Sequence, residues 1–301
     1  MSSLSHRRGD LIARGNTSDV LFWSRTAVVK VLHPDIPRHW ASLEAEITGL
    51  VHEAGFPVPA VEEVVVVDGR PGVVFERVDG MSMWEHMLIS GSDLQRLTRA
   101  LVDLQCDLHS LSAPAGLPDL RTRLRVNVSR ADPLSEEDRE AAVHLIDGLP
   151  AGTALCHGDM HPRNILMSSH GMVLIDWFDA SAGDPVADIA RSSLLMRPQQ
   201  IGELDMHHLD GASTEVLRLL HSEYMSQILS RRSIDEHDLV SWEAAVAAAR
   251  LAEPVPKGDL LRVWRAWRDG GNAADESVLA AALRRAQGWQ PRPSLTEHQT
   301  A

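Results

Sequence analysis

A chain of 301 residues, 44% of them hydrophobic, can bury one sizeable core or two modest ones. Its formal charge of −13 excludes a general nucleic-acid binder, which needs a basic face, and admits a cationic small-molecule partner. No apolar run of about 18 residues occurs, so no membrane span is expected; Met1 to Gly15 lack the apolar core of a signal peptide, and Cys106 and Cys156 form no CxxC pair or disulfide framework, so a reduced, cytoplasmic protein is expected.

Taken in chain order, the first third reads as strands. Asp19–Arg25, Ala27–His33, Val61–Val67 and Gly69–Val78 are short and rich in β-branched residues, and Asp68-Gly69 is a hairpin turn signal. Of 29 basic residues only Lys30 and Lys257 are lysines, so a lysine in the middle of "AVVKVLH" calls for a reason. Between the second and third strands, Leu43, Ile47, Leu50 and Val51 give one amphipathic helix over roughly Trp40 to Ala54, stopped by Gly55 and Pro57. After Asp79-Gly80 the texture changes. Ser92–Leu111 has the spacing of a long helix, as does most of Thr214–Gln287. A small β-rich lobe over residues 1–79, a linker near Glu76–Gly80 and a larger helical lobe over residues 80–301 are expected.

The exception in the helical part is "ALCHGDMHPRNILMSSHGMVLIDWFDA", where two apolar runs flank a turn at Gly171. The pattern predicts a β-hairpin presenting Asp159, Asn164 and Asp176 at its open end. A carboxylate and a neutral amide oxygen together suit a hard cation such as magnesium. A second carboxylate, free of metal, can orient an attacking hydroxyl and accept its proton. His157, Asp159 and His161, at alternate positions, form a rival zinc set, but Pro162 follows at once and no further His cluster lies nearby.

His157-Gly158-Asp159-x-His161-x-x-Asn164 followed by Ile175-Asp176-Trp177 resembles the signature of the aminoglycoside phosphotransferase and choline kinase group, relatives of protein kinases. The resemblance runs from about Gly15 to at least Arg191 and is most specific over Cys156–Asp188. It implies an α+β, two-lobed protein-kinase-like fold, with a small antiparallel β-sheet lobe that binds nucleotide and a mostly helical lobe that carries catalysis and the acceptor site. It also implies ATP and Mg2+ as cofactors and transfer of the γ-phosphate to a hydroxyl of a small molecule. Residue by residue, Asp159 would be the catalytic base, Asn164 and Asp176 the magnesium ligands, His157 a packing residue, and Asp188 a brace for the loop. Lys30 would meet the α/β-phosphates, held by Glu44 in preference to Glu46. Ser18 would face the phosphates from "RGNTSDV", whose single Gly15 departs from the GxGxxG of protein kinases. Backbone groups of Glu76 and Val78 would meet the adenine edge. Trp177 stands where kinases carry phenylalanine.

The acceptor pocket in this group comes from the helical lobe, here about Asp205 to Trp289. In it "SIDEHDLVSWEAA" offers Asp235, Glu236, Asp238 and Glu243, with Trp242, to a cationic acceptor such as an aminoglycoside-like antibiotic. A solvated acidic helix start explains Asp235, Glu236 and Asp238 as well, and it is the favoured reading for Asp235 and Glu236. Choline, homoserine or sugar kinases, or an inactive kinase-like binder, are the alternatives. No nucleic-acid or membrane partner is expected.

Overall fold

The computed structural model describes residues 7–89, 93–197 and 211–270. The β-branched segments pair antiparallel. β1 (Leu11–Arg14), β2 (Ser18–Phe22), β3 (Ala27–Leu32), β4 (Val61–Val67) and β5 (Arg70–Glu76) form one sheet in the order β1-β2-β3-β5-β4. Val67 lies opposite Arg70, so Asp68 and Gly69 alone make the turn, with φ of 49° and 78°. Both are left-handed, as a two-residue type I′ hairpin requires. β1 was not expected: its four residues are all exposed, with no alternation to mark a buried face.

One helix, α1 (His39–Glu53), packs on the sheet. Ala41 sits against Leu32, Val73 and Phe75, while Ala27, Val29, Val31 and Val74 line the opposite face. The alternation along β3 thus sends Val28, Lys30 and Leu32 to the helix side.

Beyond Asp79 the chain is mostly helical: α2 (Met83–Ile89), α3 (Leu94–Ser110), α4 (Leu120–Ser129), α5 (Glu136–Gly148), α6 (Pro185–Leu195), α7 (Gly211–Arg231), α8 (Glu236–Arg250) and α9 (Gly258–Arg268). Five short strands interrupt it. β6 (Gly80–Ser82) pairs with β8 (Ile165–Ser168), which pairs with β9 (Gly171–Leu174), and β7 (Ala154–Cys156) pairs with β10 (Ser181–Gly183). The expected hairpin is β8–β9, and β6 fastens the linker to its edge. α8 is buried on all sides from Leu239 to Arg250, and its run of alanines lets α4, α5, α6 and α9 approach closely. It is the central post of the helical lobe. Among the described residues no helix is long and apolar enough to cross a membrane.

Candidate active site

β7 delivers the chain to His157, which is fully buried. Its Nδ1 accepts the N–H of Asp159 at 3.1 Å, so the proton sits on Nε2, which donates to the Ile175 carbonyl at 3.1 Å. Burial lowers its pKa against the pull of nearby carboxylates, which keeps the ring neutral. Both nitrogens are occupied, leaving no lone pair for zinc. Trp177 packs edge-on against the ring at 4.6 Å and donates its indole N–H to the Leu174 carbonyl at 2.8 Å. Gly158 follows with φ +78°, and a Cβ there would run into the carbonyl of Asp179. Its N–H donates to Asp188 Oδ1 at 2.7 Å, while Asp188 Oδ2 meets His109 Nε2 at 2.8 Å. The residue expected to brace the loop touches it directly.

A single 3-10 turn, Pro162–Asn164, carries Asn164 back under Asp159. Its amide nitrogen donates to the Asp159 carbonyl at 2.9 Å and to Oδ2 at 2.8 Å. Both amide hydrogens go to Asp159, so the amide oxygen is the atom left to meet a cation. The Asp159 carboxyl is opposed by burial, yet His161 at 3.5 Å and Arg191 at 3.9 Å hold it well below the usual carboxylate range.

Asp176 is a non-glycine residue with φ +67°. Such backbone costs about 1–3 kcal/mol and persists where its surroundings enforce it. Here it aims the carboxylate at the sheet, where Oδ1 lies 2.9 Å from Lys30 Nζ. Glu44 Oε1 lies 2.6 Å from the same nitrogen. Glu46 is exposed, so Glu44 is the helix partner. Burial opposes the lysine's charge, but Asp176 and Glu44 raise its pKa above the ordinary value. Lys30 thereby joins β3, α1 and the loop after β9 at one point, which answers why a lysine interrupts an apolar strand. A second contact spans the same gap: Trp40 of α1 stacks on Phe178 at 4.3 Å.

Ser18 and Glu76, expected at the nucleotide, lie in strands that pair with β3, and Val78 lies just past β5. Ser18 opens β2 and is buried, not part of a free loop. Val20 is the register partner of Lys30, so Ser18, two residues earlier, shares its face of the sheet. The Gly15 N–H closes the turn onto the Ser18 carbonyl at 2.8 Å. Glu76 ends β5 with its N–H on the Ala60 carbonyl at 2.8 Å, and Val78 follows in the linker before β6.

The expected acceptor wall is corrected. Glu243 is fully buried in α8, ion-paired with Arg197, which also meets Asp259 at 3.2 Å. Trp242 is buried with it. Asp235 caps α8 by accepting the N–H groups of His237 at 2.8 Å and Asp238 at 3.3 Å, so this carboxylate is a helix cap. Residues 205–210 and 271–289 of the expected pocket lie outside the described residues.

Four charged residues beside Asp159 were not anticipated. Arg191 meets Asp179 at 3.3 Å and Glu253 at 2.5 Å, and Arg123 meets the other oxygen of Asp179 at 2.8 Å. Burial pushes the Asp179 carboxyl up while the two guanidinium groups pull it down.

A strand lysine shared by a helix glutamate and a loop aspartate, with an aspartate–asparagine pair on the loop before the same hairpin, is the arrangement of a phosphotransferase with a protein-kinase-like fold. Residues 11–220 match the model of the phosphotransferase enzyme family, and the chain belongs to that family. It is therefore a phosphotransferase. No curated protein sequence matches it. Among solved structures it is similar to aminoglycoside phosphotransferase APH(3'')-Id from Streptomyces rimosus, with 17% identity over 81% of this chain and 93% of that one and a TM-score of 0.52. It is also similar to a thermostable mutant of APH(4)-Ia, with 15% identity over 94% and 96% of the two chains and a TM-score of 0.54. Aminoglycoside-3'-phosphotransferase of type VIII matches at 20% identity over 80% and 90%, with a TM-score of 0.51. At these identities the likeness establishes the fold.

Proposed function

We propose that the protein transfers the γ-phosphoryl group of ATP to a hydroxyl of a small molecule, with the nucleotide lobe ending at Asp79 and the catalytic lobe beginning at Gly80. The observation that carries this reading is the Lys30 ammonium, held at 2.6 Å by Glu44 and 2.9 Å by Asp176. In the reaction a bond forms between the acceptor oxygen and the γ-phosphorus, the bond to the β-γ bridging oxygen breaks, and ADP leaves. Asp159 receives the hydroxyl proton. A carboxylate held so far below its usual range is a weak base toward a resting alcohol. Its main work is to orient the hydroxyl and take the proton late, as a loose transition state makes it acidic. Lys30 stays on the α/β-phosphates. Ser18 faces them from β2, and Glu76 and Val78 offer backbone groups to the base.

The donor set fits magnesium. Asp176 and Asn164 would each offer one hard oxygen to the ion, which is commonly held by one or two protein oxygens together with substrate phosphates. Among the described residues no group of three or more His, Cys, Asp or Glu side chains is assembled as an all-protein cage. When bound, magnesium would neutralise charge on the β- and γ-phosphates.

For the acceptor we propose an aminoglycoside-like compound. APH(3'')-Id has been solved with ADP and streptomycin, and APH(4)-Ia with ADP and hygromycin B, and the net charge of −13 favours capture of a cation. A neutral hydroxyl acceptor is the second reading, favoured by one observation: Asp179 and Glu253, the carboxylates beside Asp159, are already engaged by Arg123, Arg191 and Arg250. ADP release over a panel of aminoglycosides and neutral hydroxylated metabolites separates them. Turnover of neutral compounds alone removes the aminoglycoside reading and leaves the kinase. No ADP release with any of them removes both.

A further inference from the structure

The catalytic loop is gripped from a side that the phosphotransfer reading does not use. Asp188 and Arg191 stand three residues apart on α6 and share a face. From it, Asp188 Oδ1 accepts the N–H of Gly158 at 2.7 Å, and Arg191 Nε donates to the carbonyl of the same residue. Both polar backbone groups of the residue before Asp159 are thus fixed by one helix.

Arg191 is itself located. Its two terminal nitrogens reach Glu253 at 2.5 Å and Asp179 at 3.3 Å, and the second lies 3.9 Å from Asp159 Oδ1. The other oxygen of Glu253 accepts from Arg250 Nε at 3.0 Å. The backbone around Glu253 is held in turn: Lys257 Nζ donates to the carbonyl of Leu251 at 2.8 Å and to that of Glu253. Lys257 is the second of the chain's two lysines, and a compact ammonium with rotatable donors suits two converging carbonyls. The turn after α8 is therefore shaped to present one carboxylate to Arg191.

We propose that Arg191, located by Glu253, is a positioning residue for phosphotransfer: it sets the direction of the Gly158 carbonyl and through it the aim of the Asp159 carboxylate. The inference rests on Asp159 acting at the acceptor hydroxyl. A planar guanidinium is needed because one fork meets the carbonyl, Glu253 and Asp179 together. An ammonium supplies the charge at a single point.

The test uses the full chain with magnesium-ATP and water as the acceptor. Arg191→Lys keeps the charge that balances Asp159, Asp179 and Glu253. Its kcat should fall about tenfold or more, since small misalignments of a reacting group carry losses of that order. ATP affinity, read from tryptophan fluorescence, should stay within about twofold, because Lys30, Glu44 and Asp176 are untouched. Glu253→Gln should lower kcat about threefold or more, and the double variant should lose little beyond Arg191→Lys, as partners in one linkage do. Should Arg191→Lys fail to fold, Glu253→Gln carries the same test. Wild-type kcat in the folded variants, losses confined to KM and nucleotide affinity, or losses that multiply independently would overturn the proposal. Asp159→Asn is assayed beside them. Its inactivity next to an undiminished Arg191→Lys strikes this proposal alone, whereas full turnover in Asp159→Asn strikes the reading of Asp159 and this inference with it.

Discussion

Replacing Lys30 by methionine should destabilise the protein as well as disable it, and the size of the effect follows from burial. The Lys30 and Glu44 side chains are 13% and 4% exposed, whereas Asp176 is 41% exposed. Removing one partner of a buried ion pair costs about 3–5 kcal/mol, because the other charge is left unpaired away from water. The Asp176 contact, screened by solvent, adds about 0–1 kcal/mol. The expected loss is therefore about 3–5 kcal/mol, set by Glu44. The sign of its pH dependence is fixed too. With Lys30 gone, burial raises the Glu44 pKa above its unfolded value with nothing to oppose it. An acid whose folded pKa is raised stabilises the fold below the unfolded value and loses that contribution as pH rises through the folded one. Lys30→Met should thus lie closer to wild type at pH 5 than at pH 8, and Lys30→Met/Glu44→Gln should recover part of the loss at pH 8. Urea unfolding followed by tryptophan fluorescence reads all three quantities. A Lys30→Met midpoint equal to wild type at pH 8 would refute the reasoning. Kinetically, Lys30→Ala should raise KM for ATP and lower kcat, with Lys30→Arg rescuing only part.

Asn164→Ala and Asp176→Ala should both weaken magnesium-ATP binding measured by calorimetry, Asp176→Ala the more, since it removes charge as well as an oxygen; equal affinity with and without EDTA in the wild type would contradict this. Glu243→Ala should lower stability by about 3–5 kcal/mol by stripping Arg197 of a buried partner, and should leave the salt dependence of acceptor KM unchanged, because Glu243 lines no open surface. His221, buried on α7 with Ser193 Oγ at 2.7 Å from its Nε2, is pushed down from 6.5 to about 3 by burial and by Arg197. Between those values the unfolded chain binds the extra proton, so stability should fall as pH drops through 6.5, by about 2 kcal/mol at pH 5 from this group. In His221→Asn the fall between pH 7.5 and 5 should be shallower by that amount, as measured by denaturant unfolding at each pH.

The strands of the first lobe were legible because each is a β-branched run bounded by a turn signal, and α1 because its apolar stripe has helical period. The hairpin was legible because two short apolar runs flank the Gly171 turn, and Asp159, Asn164 and Asp176 lie close beside its open end in sequence. β1 was hidden because an edge strand with every residue exposed has no buried face to write a pattern. α8 misled for the opposite reason: a helix buried on all sides has no polar face, so Glu243 looked like a surface acid although its partner Arg197 comes from just beyond α6. Arg191 was equally opaque, since its partners Asp179 and Glu253 lie 12 and 62 residues away. Local spacing specifies a loop, but the charges that brace it from distant helices leave no local trace.

The most direct measurement is transfer of labelled γ-phosphate from ATP to a hydroxyl compound by the wild type and by Asp159→Asn, with nucleotide binding measured on both. The account predicts magnesium-dependent transfer by the wild type and loss of nearly all of it in Asp159→Asn at unchanged ATP affinity. Undiminished transfer by Asp159→Asn, or transfer by the wild type that persists in EDTA, would contradict it.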